Sequence, residues 1–201
     1  MLSTITLLSW LACGSEPIKN QSNTNKETVI VSKKHSVPAA DDRGKFAFKC
    51  CTNPALTSAF EHYLKLTESL ASDSASEPQF LAFSAAAEKA LISAIESQAE
   101  SNSTQPLGKE LNAVASIIKE IRSKPINNTN IRAQLDSLTQ PMISAVASSL
   151  VMEPSKTSIE AVLAFCPMDA GHWLQNSDTL RNPYWGAEML ECGVFEDIRI
   201  R

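Results

Sequence analysis

The 201-residue chain holds only six glycines, and aromatic residues make up just 6% of it. Sheet-rich folds draw on aromatic and β-branched residues for strands and on glycine for turns. Their scarcity, beside abundant Leu, Ala and Ser, favours helices. No apolar run approaches the ~18 residues that a membrane-spanning helix needs. There is no Cys-x-x-Cys pair for a thioredoxin-type centre and no Glu-x-x-His pair of the kind that lines a di-iron bundle. An excess of positive charge is missing too, with 18 Lys/Arg against 22 Asp/Glu and a net charge of −4. The imbalance is uneven: residues 16–49 carry seven Lys/Arg and four Asp/Glu, and residues 50–201 carry eleven and eighteen. Nucleic-acid binding is driven by cations meeting phosphates, so the acidic later part excludes it as a partner.

What is present begins with M-L-S-T-I-T-L-L-S-W-L-A, a short apolar stretch of signal-peptide type. Leu11-Ala12-Cys13-Gly14 is similar to a bacterial lipoprotein cleavage box, which makes Cys13 the candidate lipidation site. Two features depart from that pattern: no Lys or Arg precedes the apolar run, and Trp10 stands where an aliphatic residue is usual. The expected location is the periplasm or outer membrane, with contact to the bilayer through a lipid anchor only. Residues 14–49 are polar, rich in Asn and Ser, and too poor in apolar area to offset their ordering entropy. They are expected to form a tether.

Residues 50–152 show four amphipathic periods. Asn53 and Pro54 supply an N-cap and a first-turn proline. Leu56, Phe60, Tyr63, Thr67 and Leu70 follow as one stripe, ending near Ala71. Ser76 with Gln79 reads as a capping box before a second stripe of Phe80, Phe83, Ala87, Leu91, Ala94 and Ile95. The third runs from Pro106 to Pro125 through Leu107, Leu111, Val114, Ile118 and Ile121. The fourth follows Thr129, passes through Ile131, Leu135, Leu138, Met142 and Val146, and closes at Pro154, with Pro141 bending it. The expected fold is all-α: an up-down-up-down four-helix bundle carrying a small C-terminal Cys/Met-rich loop and a two-stranded ribbon (residues 153–201). The ribbon pairs I-E-A-V-L-A-F, residues 159–165, with G-V-F-E-D-I-R-I, residues 193–200.

Residues 166–193, C-P-M-D-A-G-H-W-L-Q-N-S-D-T-L-R-N-P-Y-W-G-A-E-M-L-E-C-G, concentrate the chemistry. Cys166, Met168, Met189 and Cys192 form a sulfur set suited to Cu(I); Zn(II) would take the thiolates alone. In an extended segment Cys166 and Met168 share a side, and in a helical turn Met189 and Cys192 share a face. His172 is a candidate fifth ligand. A zinc set of Cys166, His172 and Cys192 lacks an evident fourth donor. Two plainer readings stand beside the metal site: a Cys166–Cys192 disulfide stapling the tail, and thiols that are simply buried. Cys50 and Cys51 are adjacent, a spacing at which a mutual disulfide is not expected. A Cys166–His172 nucleophile pair would need an orienting third group and an oxyanion site, and Asp169 in a loop is a weak orienting group, so no enzyme activity is expected.

Cys166-Pro167-Met168, Trp173-Leu174, Asn182-Pro183-Tyr184-Trp185-Gly186, Met189-Leu190 and Cys192-Gly193, with the helical stretch 132–146, resemble a bacterial helical domain of uncharacterised function. That domain occurs alone on lipoproteins or at the C-terminus of CusB-like adaptors of heavy-metal efflux pumps. The resemblance covers about residues 50–201. It implies an exported domain that handles copper or another heavy metal, with adaptor or pump components as partners. Trp185 stands where that family more often has Phe or Tyr, and Cys50-Cys51 has no counterpart in the pattern.

Overall fold

A computed structural model describes residues 46–101, 107–150, 156 and 158–198. Cys13, the leader, the tether up to residue 45 and the expected helix stop at Pro154 lie outside the described residues. In chain order the elements are β1 (Phe48–Cys50), α1 (Pro54–Ala71), α2 (Glu77–Ser101), α3 (Leu107–Arg122), α4 (Asn128–Arg132), α5 (Leu135–Ala147), β2 (Ile159–Cys166), β3 (Gly171–Gln175) and β4 (Val194–Glu196), with a 3-10 turn at Gly186–Glu188 between β3 and β4.

The fold is mixed α/β: among the described residues, five helices pack with a four-stranded antiparallel sheet, which overturns the all-α bundle with a ribbon. β2 is the spine. β1 pairs with its first three residues, Ile159–Ala161. β3 pairs along residues 162–166 and β4 along 163–165, so these two take opposite edges. The expected pairing of the two late apolar runs is present as β2 with β4, but it is one contact of a larger sheet.

The physical reason lies in the two faces of β2. Residues 161–166 are all buried. Ala161 and Leu163, with Leu174 of β3, join the core built by the helices. Val162, Ala164 and Cys166 join Trp173, Leu180 and Phe195 in a second cluster on the other face. A strand covered on both sides reads as a continuous apolar run. The sheet therefore shares the core of the helices and does not lean on a finished bundle.

α1 starts and stops where its sequence says. Asn53 Oδ1 accepts from the Ala55 and Leu56 amides, and the helix ends at Ala71. Its stripe, Leu56, Phe60, Tyr63, Thr67 and Leu70, is buried. α2 packs along α1 through Phe80, Phe83 and the small side chains of Ala86, Ala87, Ala90 and Ala94. Ile95, expected inward, is instead 50% exposed. Ser76 also departs from its expected role, since its hydroxyl donates to Asn128 Oδ1 at the head of α4. The expected fourth helix is two. It breaks at Ala133-Gln134, while Pro141 sits buried within α5. Arg132 explains the break: its guanidinium leaves the helix end to donate to the carbonyls of Leu70 and Pro183 and to the Asp73 carboxylate.

The tether also ends earlier than position 49. Phe48 is in β1 and packs on the core, its ring 6.4 Å from that of Phe60. Cys50 and Cys51 are disulfide-bonded to each other and fully buried, against expectation. The peptide bond between them is cis. Among the described residues no helix is long and apolar enough to cross a membrane.

Candidate functional site

The far face of the sheet is closed by residues 176–193, and Asn182 holds that segment together. It is fully buried. Its backbone N–H donates to Leu190 O at 2.7 Å, and its carbonyl accepts from the Gly186 amide at 3.0 Å. Its side-chain oxygen accepts from the Tyr184 amide at 2.9 Å and the Trp185 amide at 3.4 Å. Its side-chain N–H2 donates to Cys166 Sγ at 3.2 Å and to the Cys192 carbonyl at 2.8 Å. An Asx turn followed by proline is a strong local turn signal. Here the same side chain reaches across to both ends of the sulfur-bearing segment.

Cys166 is buried at the end of β2 and Cys192 is half-buried; both are thiols. Their elements meet through Asn182. Met189 lies on the same segment as Cys192, and the Cys192 amide donates to Met189 O at 3.0 Å. The expected helical turn is thus a single turn just past the 3-10 helix, which stops at Glu188.

Two candidates fall away from this group. β2 ends at Cys166 and residues 167–170 turn, so Cys166 and Met168 do not lie along one extended strand. Met168 is 57% exposed on that turn. His172 pairs opposite Phe165, while Cys166 pairs opposite Gly171. Alternation along β3 sends the imidazole to the helix-facing side. There its Nδ1 lies 3.3 Å from Gln140 Nε2 and its Nε2 lies 3.3 Å from the buried Glu196 carboxylate. The Phe165 ring is 4.8 Å away. His172 is a packed polar residue on the opposite face from Cys166, and the zinc set of Cys166, His172 and Cys192 is not assembled. Among the described residues, no group of three or more His, Cys, Asp or Glu side chains could hold a metal ion.

Tyr184 fixes the segment to β3, and Arg132 fixes it to the helices. The Tyr184 hydroxyl donates to the His172 carbonyl at 2.6 Å, and its ring meets Trp173 edge-on at 6.2 Å. Burial pushes the Tyr184 phenol far above its ordinary range. Gly171 is the residue that admits this ring: a Cβ there would lie 2.5 Å from Tyr184 Cζ. Arg132 and the Ala187 amide both donate to the Asp73 carboxylate. Those donors, Arg132 foremost, hold Asp73 below the usual carboxylate range. Arg181 extends the same seam, reaching Glu68 at 2.7 Å and the Ser72 hydroxyl at 2.9 Å. Asn182, Arg132 and Arg181 escape a search for metal-ligating residues because their roles are architectural. The Asn-Pro pair was the one local signal for the first of them.

No protein-family model, curated protein or solved structure matches the chain.

Proposed function

We propose that this is an exported, lipid-anchored protein of the bacterial cell envelope that binds a soft metal ion. Cu(I) is the preferred ion and Zn(II) a poorer one. Cys166 and Cys192 are the primary donors, and Met189 is the third. The role is sequestration of the ion or its delivery to components of a heavy-metal efflux system, with Cys13 carrying the anchor. No catalytic role is assigned. The observation that carries the metal reading is the Asn182 amide nitrogen, which lies within about 3 Å of both the Cys166 sulfur and the Cys192 carbonyl. Two cysteines 26 positions apart thereby reach one small region, on the face of the sheet away from the helix core. Thiolate pairs with thioether support select Cu(I) over harder ions. Loss of the thiol protons accompanies binding, so affinity falls as pH falls. The N-terminal cleavage box and the resemblance of the tail to heavy-metal efflux domains support the location and the pathway class.

The test is a Cu(I) competition titration of the full chain against a chromogenic chelator under reducing conditions. Cys166→Ser and Cys192→Ser should each remove the tight site, and Met189→Leu should weaken it by about tenfold, the loss of one donor worth roughly 1.4 kcal/mol. His172→Ala and Met168→Leu should leave it unchanged. Unaltered binding in both cysteine variants overturns the reading. A second reading draws on the same proximity: under oxidation Cys166 and Cys192 join, and the domain is a structural or interaction module. Mass spectrometry after iodoacetamide treatment of unreduced protein separates them, since two alkylated thiols exclude the disulfide.

A further inference from the structure

We propose that a second copy of this chain docks on the outer face of α2, antiparallel and about a two-fold axis at the level of Ser93 and Ala94. One side of α2 faces α1 through Phe80, Phe83 and a row of alanines. The other side presents Leu81, Ala85, Glu88, Ile92 and Ile95, all exposed and spaced by four, three, four and three residues. That is the spacing of a coiled-coil seam. Leu81 is 42% exposed, and Ile92 and Ile95 are 50% exposed each. Apart from Met168, these are the exposed large apolar side chains among the described residues. Exposed apolar surface gathered on one helix face marks an interaction site more than a solvated one.

Charge decides the occupant and its direction. Lys89 and Glu96 are exposed and flank the seam on one side, seven residues apart. A parallel pairing sets Glu88 against Glu88 of the second copy, which repels. Antiparallel pairing about residues 93 and 94 sets Ile92 against Ile95 of the second copy, and symmetry repeats that contact. Lys89 of each copy then lies within two residues, about 3 Å of axial rise, of the level of Glu96 of the other. Two ion pairs of opposite sign bracket four isoleucines, so the face is complementary to itself. The patch is small, which makes the dimer a weak one, filled at high local concentration.

Sedimentation equilibrium of the full chain tests this. The weight-average mass should rise toward two copies with concentration, and Ile92→Lys should abolish the rise. Lys89→Glu and Glu96→Lys should each weaken association about tenfold, because each converts both ion pairs to like charges. An equimolar mixture of those two variants, and the double variant, should recover wild-type association. All three substitutions fall on exposed positions, so melting temperatures should match the wild type. A wild-type chain that stays monomeric at about 1 mM, the weak end of measurable affinity, overturns the proposal. So does a mixture of the two charge variants that shows no recovery.

Discussion

Truncating Asn182 to Ala removes the side chain that ties residues 182–192 to β2. Four contacts go: the acceptor for the Tyr184 and Trp185 amides, and the donor to Cys166 Sγ and Cys192 O. The two short ones, to the Tyr184 N–H and the Cys192 carbonyl, matter most. Each leaves a backbone group without its partner at a site where Asn182 itself is fully buried. An orphaned buried group costs about 1–3 kcal/mol, so the substitution should cost roughly 2–5 kcal/mol. For a chain of this size, 1 kcal/mol shifts the melting temperature by about 2–4 °C. The expected fall is therefore about 5–15 °C, read by calorimetry or far-UV circular dichroism. Asn182→Asp sharpens the test because it keeps the shape and both acceptor contacts. It loses the two donor contacts and points a carboxylate at the Cys192 carbonyl and the Cys166 sulfur. Burial beside acceptors favours the neutral acid. The Asn182→Asp protein should therefore regain stability as pH falls from 7 to 5, while Asn182→Ala should not. A loss under about 1 kcal/mol in Asn182→Ala, or no pH dependence in Asn182→Asp, would refute the central place given to this residue.

Gly171→Ala should cost about 1–3 kcal/mol by overpacking against the Tyr184 ring, and should cost little further when made in a Tyr184→Ala background; chemical denaturation of the four chains checks the cycle. Burial raises both tyrosines, Tyr63 and Tyr184, well above their ordinary phenol values. Their neutral forms thus add stability that is complete below about pH 10, the unfolded value, and is lost as pH rises beyond it. Ultraviolet titration should show no tyrosinate until the chain unfolds. Asp73 runs the other way, because Arg132 lowers it. Its contribution is present above the ordinary carboxylate range and is lost as pH falls below about 4. Asp73→Asn should flatten that part of the acid-unfolding curve, measured by fluorescence.

The sequence spoke clearly where structure is local and less clearly where it depends on distant partners. α1 was legible from Asn53 and Pro54 to Ala71 because a cap, a first-turn proline and one apolar stripe agree. The fourth helix was misread because its break comes from outside. Nothing near Ala133 and Gln134 is a strong breaker, whereas Arg132 is drawn away by Leu70, Asp73 and Pro183, which are 51–62 positions distant. Pro141 was expected to bend a continuing helix, and α5 does run through it. The sheet was half legible for the same reason. β2 carries its own apolar run, but β1 has three residues and β3 has five, and each takes its register from β2 across long chain separations. The sulfur site follows from this. Spacing suggested that Cys166 pairs with Met168 and that His172 could join them. The register assigns otherwise, since one step along β3 carries His172 to the helix side while Gly171 stays opposite Cys166. What remains joined, Cys166 with Cys192 through Asn182, is a non-local contact that local periodicity could not reveal. The tail is therefore not an appendage on a finished bundle: Leu163 and Leu174 of its strands share the helices' core. Cysteine substitutions that spare Asn182 should then leave folding intact while removing the proposed metal binding, whereas any change that frees residues 182–192 should disturb folding itself.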